Sequence, residues 1–94
     1  MSTVALKKIS GPITPLGGTE HLDTITRTGV YHQDFTVSAT AELGYPERRA
    51  GLLEVHNPAT DAVYQRYTTI WSGDVYYRGA YRGKWGPWRK ILTE

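Results

Sequence analysis

The sequence predicts a mainly β protein: a small antiparallel meander of four to five strands, led by an irregular N-terminal segment and holding little helix. Three observations predict it. Between residues 51 and 92, short runs rich in Val, Tyr, Thr, Ile and Trp alternate with turn residues at the spacing of successive hairpins. Ten glycines and five prolines punctuate a chain of 94 residues, as expected for turn-rich β structure. The one run with helical propensity, residues 39–43, is too short to stand alone.

Each element has its own reason. Residues 1–20 read as an irregular lead-in, because Gly11, Pro12, Pro15, Gly17 and Gly18 break any helix or long strand, leaving Val4–Leu6 and Ile9 as an apolar anchor. Residues 22–25 suit one short turn, with Asp23 or Thr24 bonding local N–H groups. Gly29 is expected at a φ that other residues dislike. Residues 30–37 form a possible fifth strand, and residues 38–47 a loop broken at Gly44-Tyr45-Pro46. The meander follows: strands at 52–56, 62–71, 74–81 and 85–92, joined by turns at 57–61, Ser72-Gly73 and 82–84. Pro87 has no N–H to give a ladder, so Gly86-Pro87 predicts a bulge that brings Trp85 and Trp88 to one side.

Alternation divides the second meander strand into Val63, Gln65, Tyr67, Thr69 and Trp71 against Tyr64, Arg66, Thr68 and Ile70. The third divides into Val75, Tyr77, Gly79 and Tyr81 against Tyr76, Arg78, Ala80 and Arg82. Trp71, Tyr77 and Trp85 are assigned to the core, while Trp88, Tyr76 and Arg82 stand between core and surface. Neither face is plainly polar, and so short a chain has little else to cover both. The second face is therefore an interaction surface or is buried against an identical chain.

Composition excludes several functions. Without cysteine there is no disulfide framework, thiolate zinc site or cysteine nucleophile. No run of 18 apolar residues spans a membrane, and no secretory signal is visible. His21, His32 and His56 lack metal-ligand spacing, no motif selects two of the carboxylates Asp34, Glu42, Glu47, Glu54 and Asp61, and no nucleophile elbow or phosphate loop is present. The expectation is a non-enzyme without cofactor or metal. Charge is uneven: residues 1–61 carry a net −2 and residues 62–94 a net +4. That is a basic patch and not a nucleic-acid stripe. The Tyr/Trp/Arg cluster of residues 64–89 suits sugars instead, since ring faces stack on pyranose C–H groups and Arg donates to hydroxyl, carboxylate or phosphate.

In order and spacing, Leu22-Asp23-Thr24-Ile25, Thr28-Gly29-Val30-Tyr31, Gly51-Leu52-Leu53-Glu54-Val55, Tyr64-Gln65-Arg66-Tyr67, Val75-Tyr76-Tyr77-Arg78 and Trp85-Gly86-Pro87-Trp88-Arg89-Lys90-Ile91 resemble the knob domain of R-type pyocin and phage tail fibres. The likeness covers about residues 20–92. It implies a knob-like domain at 21–94 behind a shaft-connecting segment at 1–20, assembled as a homotrimer within a fibre. It also implies a receptor-binding tip at the distal end of a virion's tail fibre, outside the cell after lysis, bound to a surface glycan such as lipopolysaccharide. Trp88, Tyr76, Arg82, Tyr45 and Arg48 are the expected contacts. The alternatives are a structural trimerisation or spacer knob and the targeting module of a lytic enzyme; a capsule depolymerase is the weakest rival.

Overall fold

The computed structural model describes residues 12–92, which form one seven-stranded mixed sheet. The strands are β1 (Ile13–Pro15), β2 (Gly29–Gln33), β3 (Gly51–His56), β4 (Ala62–Thr69), β5 (Val75–Tyr81), β6 (Lys84–Trp85) and β7 (Arg89–Lys90). They lie in chain order from β1 to β5, and β6 and β7 share the free edge of β5. Every pairing is antiparallel except that of β1 with β2. Among the described residues the only helical segments are single 3-10 turns at Leu22–Thr24, Thr36–Ser38 and Ala41–Leu43. The expected meander of residues 51–92 is therefore present, inside a larger sheet.

Several expectations need correction. The lead-in is not wholly irregular: Ile13–Pro15 pair in parallel with Val30–His32, and Leu16 N–H extends the pairing to His32 O at 2.8 Å. Both prolines of this stretch sit at the sheet edge, where a missing donor is tolerated. The proposed anchor at Val4–Leu6 and Ile9 lies outside the described residues. Gly29 has no left-handed φ; it is an ordinary strand residue packed beside the Tyr31 ring. The strand begun at Val30 stops at Gln33, whose Oε1 accepts the Phe35 N–H at 3.0 Å and turns the chain out.

Two corrections concern the core. Trp71 is 91% exposed. β4 ends at Thr69, whose hydroxyl accepts the Asp74 N–H at 3.0 Å across a four-residue loop, and Trp71 takes a φ of 71° at the tip. Its side chain thus leaves the face that Tyr67 and Thr69 share. Tyr77 also points outward, because register decides the face: Gln65 pairs with Arg78, Tyr67 with Tyr76 and Val63 with Ala80. Gln65 and Tyr67 are buried, so Tyr76, Arg78 and Ala80 face inward with them and Tyr77 does not. Trp85 is half-buried.

The inner face is covered by coil. Leu16, Leu22, Ala39 and Tyr45 from the connections meet Leu53, Val55 and Tyr67 from the sheet. Coil has no ladder of its own, so its backbone groups need partners from elsewhere. Two buried glutamines supply them. Gln65 Nε2 donates to Leu22 O at 2.7 Å and Ile25 O at 2.9 Å; Gln33 Nε2 donates to Gly17 O at 2.9 Å and to the Tyr45 hydroxyl at 3.0 Å. Gly51 allows the tight approach of β3 to β4, since a Cβ there would lie 2.3 Å from Thr68 O.

Candidate functional site

The Pro87 interruption builds the densest side-chain cluster. Gly86 N–H still reaches Gly79 O and Ile91 N–H reaches Val75 O, both at 2.8 Å, so the chain bulges between two paired points. As expected, Trp85 and Trp88 come to one side, where their rings lie 4.1 and 4.5 Å from the Arg78 guanidinium carbon. Arg78 Nε donates to Gln65 Oε1 at 2.9 Å. Its Nη2 stands 2.9 Å from Asp23 Oδ1, an ion pair by distance but not aligned as a hydrogen bond. Burial pulls the Arg78 pKa down and Asp23 opposes that shift. The cluster binds the 22–25 turn to β5, and Arg78 within it is buried, so its role is to hold the fold.

The five expected contact residues are distributed unevenly. Trp88 is half-buried; its Nε1 donates to Gly44 O at 2.7 Å and its ring packs edge-on to Tyr67. Tyr45 is not a surface residue: it lies in the core, 5.5 Å from Tyr67 between ring centroids, and burial raises its pKa. The break at Gly44-Tyr45-Pro46 brings the ring inward, against the expectation of a contact. Tyr76 is half-buried and donates to Glu47 Oε1, with its pKa pushed up to about 12 by that bond first and by burial second. Arg48 is exposed between Glu47 and Arg49, whose carbonyl accepts the Tyr67 hydroxyl at 2.6 Å. These four residues thus gather where the 44–50 loop is tied to β4, β5 and the Pro87 bulge. Arg82 stands apart in the β5–β6 turn, exposed, with Nε 3.1 Å from Asp61 Oδ2 and its guanidinium over the Tyr81 ring.

Strand reading missed the aromatics that the other face presents. Tyr64, Tyr77 and Tyr81 are all exposed there, with Arg66 opposite Glu54 and Tyr77 in register. Cross-strand register with the buried Gln65 and Tyr67 is what turns the Arg78 side of β5 inward. Among the described residues no three His, Cys, Asp or Glu side chains stand close enough to hold a metal ion.

Comparison with known proteins completes the picture. An N-truncated R2-type pyocin tail fibre superposes with a TM-score of 0.78 at 33% identity, over 85% of this chain and 32% of that chain. A C-terminal fragment of the R2 pyocin fibre of P. aeruginosa gives 0.78 at 33% identity, over 90% and 25%. The corresponding R1 fragment from P. aeruginosa gives 0.77 at 32%, over 92% and 24%. The chain thus spans 24–32% of the solved fibre fragments it matches. No family model and no curated protein matches it.

Proposed function

Because the chain is a domain of the pyocin and phage tail-fibre kind, we propose that it is a non-enzymatic receptor-binding module at the distal end of such a fibre. It works as a homotrimer and attaches the particle to bacterial surface polysaccharide. One observation carries this reading: a whole sheet face bearing Tyr64, Arg66, Tyr77 and Tyr81 is left uncovered, beside arginine-bearing loops. A symmetric partner covers part of such a face, and three copies multiply a weak sugar contact by avidity. Arg48, Tyr76 and the Trp88 edge form one contact patch, and Arg82 a second.

The test is oligomeric state and glycan binding together. Light scattering at micromolar concentration should give three times the chain mass, and an array of O-antigen polysaccharides should retain the protein. Monomer alone with an empty array would sink the reading. A spacer role is the second reading, favoured by one feature: β1 and β7 run the same way along opposite edges, so the chain passes straight through the domain. In that case Arg48→Ala and Arg82→Ala leave particle adsorption unchanged.

A further inference from the structure

The geometry points to a groove on the open side of the sheet as the seat of a neutral pyranose unit of a polysaccharide; this rests on the glycan-binding reading above and gives it a place and a sugar class. Two neighbouring hollows share Thr28 and His56 in their linings. One, of about 630 Å³, lies among β1, β2 and β3; the other, of about 350 Å³, lies between the β3–β4 turn and Tyr64. Both fall within the roughly 300–1,000 Å³ of small-ligand sites.

The walls are stapled together. The Thr28 hydroxyl accepts the Asn57 N–H at 2.8 Å and donates to Asn57 O at 3.3 Å, and Asn57 Nδ2 donates to Thr26 O at 2.9 Å. The Tyr31 hydroxyl donates to Arg27 O at 2.7 Å and fixes the backbone that carries Arg27. A groove already held in shape loses little entropy when a ligand enters.

Its lining matches a sugar. Tyr64 is 54% exposed, and its ring leans over Gly79, with Cδ2 3.6 Å from where a Cβ would stand. A glycine there leaves room for the ring, which lines the smaller hollow with Pro58 and can serve as a stacking platform. Glu54 lines the larger hollow with Arg27, and among the described residues it makes no ion pair, although Arg66 is its cross-strand neighbour. A carboxylate accepts from two hydroxyls and a guanidinium donates to ring or hydroxyl oxygens. An acidic sugar meets the Glu54 carboxylate as a like charge, a repulsion that a neutral ring escapes.

The experiment is the O-antigen array with the wild-type 94-residue chain and three variants, Tyr64→Ala, Glu54→Gln and Trp71→Gly, each checked for an unchanged circular dichroism spectrum. Retention of neutral polysaccharides, weakened about tenfold by the first two variants and untouched by the third, is the expected result. Glycan binding that ignores Tyr64→Ala and Glu54→Gln overturns the groove and leaves attachment standing. Retention of acidic polysaccharides alone overturns the neutral-sugar assignment. A variant that loses its fold is replaced by amide chemical shifts of the wild type titrated with the retained polysaccharide: movement at Thr28, His56 and Asn57 supports the groove, and movement confined to residues 44–50 overturns it. An array that retains nothing overturns the glycan reading itself.

Discussion

The two faces of the sheet are built from similar side chains and held in different ways. On the inner face the hydroxyls of Tyr31, Tyr45, Tyr67 and Tyr76 all meet a protein partner: Arg27 O, Gln33, Arg49 O and Glu47. On the outer face Tyr64, Tyr77 and Tyr81 show no such partner among the described residues. Inner-face tyrosines therefore act as struts that fasten coil to strand, each ring filling space while its hydroxyl satisfies a loop. Outer-face tyrosines stay exposed, the Tyr81 ring beneath the Arg82 guanidinium. Residue type does not separate the two sets; what lies over each face does.

The largest test of that contrast pairs Tyr67→Ala with Tyr77→Ala in urea denaturation. Tyr67 is fully buried, so its loss should cost about 3–5 kcal/mol, whereas Tyr77→Ala should stay within about 0.5 kcal/mol for the isolated chain. Equal costs would break the contrast. The next concerns the struts. Gln65→Leu keeps volume but strips partners from Leu22 O, Ile25 O and Arg78 Nε, and should cost about 1–3 kcal/mol by thermal melting.

A smaller effect depends on pH. The protonated Tyr76 phenol is the donor to Glu47, and its pKa rises to about 12 in the folded chain. The unfolded value is about 10, so its contribution is whole below about pH 10 and disappears as pH climbs through the folded value. Tyr76→Phe should cost about 1 kcal/mol at neutral pH and make the alkaline fall in stability shallower. Smallest is Trp71→Gly, which should raise the melting temperature slightly, because glycine takes the left-handed φ at no steric cost and no packing is lost.

Much of this was legible without coordinates. The hairpin punctuation at Asn57-Pro58 and Gly83, and the Pro87 bulge that places Trp85 and Trp88 on one side, follow from local chemistry, and the structure has them. The expected contacts fared unevenly for a physical reason. Tyr45 and Arg48 sit in one loop, and nothing local says which side chain turns inward; the cavity beside Tyr67 decides it. The groove at Thr28, Glu54, His56 and Tyr64 draws on three separate segments, so no spacing in the chain announces it.

By itself the sequence determined the meander of residues 51–92, the bulge at Pro87 and the surplus of aromatic side chains, because alternation, proline and glycine act over a few residues. Tertiary structure alone decided which side of β5 is inward, that residues 13–15 join the sheet, and that Trp71 leaves the core. Those outcomes depend on cross-strand register and on the volume left beneath the covering loops, which are set by residues far apart in the chain.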